Sequence, residues 1–120
     1  MKLPRNLEAI VTESKLTGYL LSETHSVGRT KARYFRALGY SERNLVRLKE
    51  AVIAVAVTGE VAESISTPFG MKYVIDGDLD APAGIRARVR TVWILESGED
   101  LPRFVTAYPT SAEDLGVESD

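Results

Sequence analysis

Apolar residues recur at helical spacing in the first half of the chain and at strand spacing in the second. Leu16, Tyr19 and Leu20 lie three and four residues apart behind Ser14, a candidate cap, which predicts a short helix from Ser14 to Leu21. Gly18 weakens it. Ser22 to Ser26 is a polar link. A second helix is predicted from Val27 or Gly28 to Leu38, with Val27, Tyr34, Phe35 and Leu38 on one face and Arg29, Lys31, Arg33 and Arg36 on the other. Gly39 stands where a left-handed helix stop belongs. Ser41 is a good cap for a third helix, from Glu42 to about Ala56, whose stripe is Leu45, Leu48, Val52 and Val55. The β-branched tail Ala51 to Val57 fits either a buried helix or a strand; its length and the lack of a break favour helix.

From Glu60 the period becomes two. Four strands are predicted: Glu60–Ser66, Met71–Gly77, Ile85–Glu96 and Leu101–Tyr108. Pro68-Phe69-Gly70, Ala81-Pro82-Ala83-Gly84 and Ser97-Gly98-Glu99-Asp100 separate them, each of hairpin length. Links this short make the strands antiparallel neighbours, because a parallel pair needs a long crossover. The predicted class is α+β, with N-terminal helices followed by a four-stranded antiparallel meander. Residues 1–109 form one domain in this reading. Residues 110–120 form an acidic tail expected to fray, with Glu113, Asp114, Glu118 and Asp120 and no basic residue.

Composition narrows the chemistry. A chain of 120 residues buries roughly two-thirds of its unfolded surface, enough for one hydrophobic core. Without cysteine there is no disulfide framework, thiolate nucleophile or cysteine zinc site. One histidine rules out a multi-histidine metal site within one chain, though carboxylate or intersubunit sites remain. No cofactor and no metal site are assigned. Met1 to Asn6 lacks the apolar core of a signal peptide, and the longest apolar run, Ala51 to Val57, falls short of the ~20 residues of a membrane span. The expected location is the cytoplasm, with no membrane partner.

The net charge of -2 conceals an uneven distribution. Between Arg29 and Lys49 lie seven cations and a single acid, Glu42. Arg86, Arg88 and Arg90 occupy every second position of the third strand and so share a face. Ile85, Ala87, Val89, Thr91, Trp93 and Leu95 take the other, the expected core face. Two readings are open. These cations form solvated surface paired with Asp76, Asp78 and Glu63, or they converge on a trough that binds an RNA backbone. Asp76-Gly77-Asp78-Leu79-Asp80 resembles the start of a calcium loop, but its glycine and distal glutamate miss the required spacing, which favours a strand end and turn. Tyr73, Trp93 and Tyr108 fit sheet packing better than a base-stacking platform.

His25 directly precedes the basic helix. A helix entrance offers unpaired N–H groups and the positive end of the dipole to a phosphate. Imidazole exchanges protons near neutral pH. A metal-free ribonuclease needs a base for the 2′-hydroxyl, an acid for the leaving oxygen and cations for the phosphorane. His25 fits either proton role, with Lys31 or Arg29 holding the phosphate. The plainer alternative is a loop histidine bonded to backbone. A serine-hydrolase elbow and a glycine-rich nucleotide loop are both absent.

Several segments together resemble a bacterial domain family of unknown function that occurs free-standing and at the C-termini of polymorphic toxins. They are Leu3-Pro4-Arg5-Asn6, Lys15 to Leu21, His25-Ser26-Val27-Gly28-Arg29-Thr30-Lys31-Ala32-Arg33-Tyr34-Phe35, Thr67 to Tyr73, Arg90-Thr91-Val92-Trp93 and Val105-Thr106-Ala107-Tyr108-Pro109. Ser26 departs from the family pattern, which commonly has proline after the histidine. The toxin context and the helices-then-meander order are similar to the metal-independent ribonuclease fold of barnase, EndoU, colicin D and RelE. By that analogy His25, Lys31, Thr106 and Tyr108 are the catalytic candidates. Arg29, Arg33, Arg86, Arg88 and Arg90 are the phosphate-binding ones. The resemblance implies RNA as substrate or ligand and a cognate inhibitor protein as partner. The competing expectation is a non-enzymatic interaction domain: an inactive toxin relative, an immunity-like partner or a homodimer closing on an apolar patch at Val92 and Ile94.

Overall fold

The change of period at Glu60 is the boundary between the two halves of the structure. The computed structural model describes residues 1–22 and 29–110. His25 and the tail from residue 111 lie outside the described residues, as does the side chain of Arg29.

The first predicted helix is α-helical only over α1, Glu13–Lys15. Leu16–Leu20 then form a π turn, in which the Leu21 N–H donates to the Leu16 carbonyl at 2.7 Å. Leu16 and Leu20 are fully buried by it. Helix α2 runs from Arg29 to Ala37 and buries Ala32 and Phe35, and Gly39 beyond it is left-handed at φ 101°. Ser41 caps a 3-10 turn, Glu42–Asn44, and Asn44 completes a reciprocal capping box. Helix α3, Leu45–Thr58, follows, and its buried residues are Leu48, Val52, Val55 and Ala56. The apolar stretch from Ala51 is therefore helix, not strand.

Strands β1 (Val61–Thr67), β2 (Gly70–Asp80), β3 (Arg86–Glu96) and β4 (Arg103–Pro109) form one antiparallel sheet in chain order. Two expectations need correction. β2 does not end at Gly77 but continues to Asp80, because Asp76, Asp78 and Asp80 stand opposite Arg90, Arg88 and Arg86 across the ladder. Ile85 is not a core residue: it precedes the strand, in the turn closed by the Ala81 N–H to the Ile85 carbonyl, and is 53% exposed.

One sheet face carries Tyr73, Ile75, Leu79, Val89, Trp93 and Ala107 into the core beneath the helices. Gly77 lets α3 cross β2 closely, since a Cβ there would lie 2.8 Å from Val55 Cγ1. Within this core a polar relay is closed on itself. Trp93 Nε1–H donates to Thr91 Oγ1 at 2.8 Å, and that hydroxyl donates to the Ile75 carbonyl at 2.8 Å. Thr91→Val keeps the shape but strands the indole N–H. The expected cost is about 1–3 kcal/mol, read as a lower urea midpoint with an unchanged slope.

Candidate functional site

The π turn brings Tyr19 to the β4 edge of the sheet. A short parallel bridge between Ile10 and Arg103 ties the N-terminal segment to the start of β4, and the π turn follows within a few residues. From α2, Lys31 reaches the same place. Its Nζ donates to the Tyr19 hydroxyl at 2.7 Å and to Thr106 Oγ1 at 3.1 Å. Tyr19 and Thr106 hydroxyls are themselves 3.2 Å apart. The ammonium lies 5.2 Å from the Tyr19 ring centre and 5.7 Å from that of Tyr108, within cation–π range of both. Tyr108 stands directly opposite Arg90 in the β3–β4 ladder. Lys31, Thr106, Tyr108 and Arg90, proposed from distant parts of the sequence, therefore form one neighbourhood.

Charge in this neighbourhood acts on its members. Burial pushes the Tyr19 hydroxyl up, but the hydrogen bonds from Lys31 and Thr106 and the charges of Lys31 and Lys15 together bring it below the ordinary tyrosine value. Arg90 forms a forked pair with Asp76 at 2.8 and 3.0 Å. That pair raises the guanidinium pKa, with Tyr108 adding to it. The Arg90 hydrogen bonds hold the Asp76 carboxyl below its usual range despite partial burial. A depressed carboxylate contributes stability that is present above its unfolded pKa, near 4, and is lost as pH falls through the folded value. Asp76→Asn is accordingly expected to flatten the acid limb of a stability–pH curve below about pH 4. The effect at neutral pH stays under about 1 kcal/mol, because solvent screens the half-exposed arginine.

The other sequence candidates fall elsewhere. Arg33 is exposed and lies two residues from Lys31 on α2, roughly 200° around the helix. Arg86 and Arg88 line a cleft of about 550 Å³ with Asp78, Asp80 and Asp76, the carboxylate that Arg90 binds, beside the end of α3. Arg88 pairs with Asp78 there at 3.5 Å. Arg36 binds Glu42 and the Leu21 carbonyl, fastening α2 to the π turn. Among the described residues no cluster of acidic or imidazole side chains is arranged to hold a metal ion. Sequence reasoning missed Tyr19, which it placed on an apolar helix face; only the weak helix at Gly18 hinted at irregular backbone there.

Residues 2–111 match the model of DUF6883, a domain of unknown function. The chain belongs to this family. No curated protein matches it. Among solved structures, the DUF6883 domain is similar in fold to a chain of a contact-dependent growth inhibition toxin–immunity protein complex from Klebsiella pneumoniae 342. The TM-score is 0.69 at 14% identity, over 88% of this chain and 97% of that one. No helix among the described residues is long and apolar enough to cross a membrane.

Proposed function

We propose that this DUF6883 domain is a toxin-type ribonuclease that cleaves RNA without a metal. The observation that carries this reading is the Lys31 ammonium held between the Tyr19 and Thr106 hydroxyls, with Tyr108 and Arg90 alongside. A cation and convergent hydroxyls at one sheet edge suit a phosphate whose negative charge grows as phosphorus becomes five-coordinate. His25 takes the proton of the RNA 2′-hydroxyl, and that oxygen attacks phosphorus. Lys31 and Thr106 hold the non-bridging oxygens. The Tyr19 phenol, more acidic than an ordinary tyrosine, gives its proton to the departing 5′-oxygen. The products are a 2′,3′-cyclic phosphate and a 5′-hydroxyl. Arg90 contacts the flanking backbone.

The test is purified protein against total RNA in the presence of a chelator, with product ends analysed. Cleavage to cyclic phosphate, lost in His25→Ala, is the expected result. Intact RNA with folded wild-type protein would overturn the reading.

A second reading, an immunity-like or other protein-binding domain, is supported by the outer sheet face. There Val92 and Ile94 are half-buried neighbours on β3, and Lys72 stands between Ile94 and the 39%-exposed Ile65. Growth arrest on expression separates the two: a toxin causes it, a binding domain does not.

A further inference from the structure

The two edges of the sheet are unlike. At β4, the N-terminal segment pairs with the strand through Ile10, and Lys31 and Tyr19 cover Thr106. At β1, the Val61 N–H donates to the Met1 carbonyl at 2.7 Å, and this covers only the strand's first residue. Among the described residues nothing pairs with the outer edge from Glu63 to Thr67. Residues 62 to 66 are all exposed. Proteins usually protect such an edge with lysine, proline or a very short strand. This one runs for seven residues, Val61–Thr67, and has neither lysine nor proline. Its single bulge, between Val61 and Glu63, lies at the end that Met1 already covers. Beyond it the strand pairs regularly with β2 through Thr67.

We infer that the Glu63–Thr67 edge pairs antiparallel with the same segment of a second copy, joining two sheets into one of eight strands. The segment is complementary to itself about Ile65. A two-fold axis there sets Ile65 against Ile65 of the second copy, Ser64 against Ser66, and Glu63 against Thr67. The partly exposed isoleucine gains an apolar partner. The one charged residue of the strand faces a hydroxyl and not its own like charge. Every cross-strand pair is thus neutral or favourable, which a closed isologous interface requires. This pairing uses the edge opposite the Lys31 site and is independent of the ribonuclease reading.

Light scattering coupled to gel filtration tests it over a range of concentrations. The expected mass rises to twice the 13.2 kDa of the chain. Ile65→Lys, which sets two lysines face to face at the axis, is expected to return the protein to monomer with an unchanged circular dichroism spectrum. Register is tested by single cysteines, because the chain has none of its own. Ile65→Cys brings two Cα atoms to about 4.5–5.5 Å, within disulfide reach, so it cross-links into a covalent dimer under mild oxidation. Glu63→Cys, four residues out of register with its mate and so about 13 Å from it, does not. A monomer at every concentration overturns the inference. So does a dimer that survives Ile65→Lys, or equal cross-linking at the two positions.

Discussion

Trp93→Ala is expected to be the most damaging single substitution to stability, at about 3–5 kcal/mol. The indole is fully buried in the central strand pair, opposite Tyr73, and meets the Phe104 ring edge-on at 5.4 Å between centres. Truncation removes that contact, empties a volume too rigidly framed by sheet and helices to collapse, and leaves Thr91 Oγ1 without its donor. Native domains are stable by only about 5–15 kcal/mol, so the variant sits near the limit of folding. Trp93 is the sole tryptophan, so its fluorescence reports wild-type unfolding, and the variant must be followed by circular dichroism. Trp93→Phe keeps the ring packing and is expected to cost clearly less. Equal costs for the two would mean that indole volume contributes little.

The fold was largely legible, for reasons that can be named. The switch from a period near four to two at Glu60, and turn residues at hairpin spacing, placed four antiparallel strands in order. The errors arose where long-range partners overrule local preference. Asp76 to Asp80 is turn chemistry by itself, yet with its three aspartates facing Arg90, Arg88 and Arg86 it becomes the end of β2. The first helix gives way after Lys15 to a π turn that no periodicity encodes. The site divides in the same way. Lys31 follows from the basic helix behind His25, and strand alternation places Arg90 on its face, while Thr106 and Tyr108 rest on family resemblance and analogy of fold. Tyr19 was invisible because its role depends on backbone that departs from the helix its neighbours predict. π turns interrupt helices at functional sites with some regularity; here the interruption turns an apolar-stripe tyrosine into a hydroxyl ligand of Lys31.

Lys31→Met is expected to lower activity strongly. Methionine keeps an unbranched apolar stem of similar length and removes the ammonium. The Tyr19–Thr106 contact at 3.2 Å remains to satisfy both hydroxyls, so the thermal midpoint should move little. Catalysis should not survive as well. Deleting one preorganised donor to a developing oxyanion typically costs about 10²- to 10³-fold in kcat, and KM should change far less, because the other cations still hold the RNA backbone. Lys31→Arg is expected to rescue poorly, since a planar fork cannot replace a point charge seated between two hydroxyls. A second readout is independent of RNA. Lys31 lowers the Tyr19 pKa both by its hydrogen bond and by its charge, so its removal should move that tyrosine's titration upward in an absorbance experiment. If the tyrosine shifts while cleavage continues at the wild-type rate, the cluster exists as drawn but Lys31 does not act on the phosphate. If neither changes, Lys31 does not hold Tyr19 in solution, and the ribonuclease reading loses the geometry on which it rests.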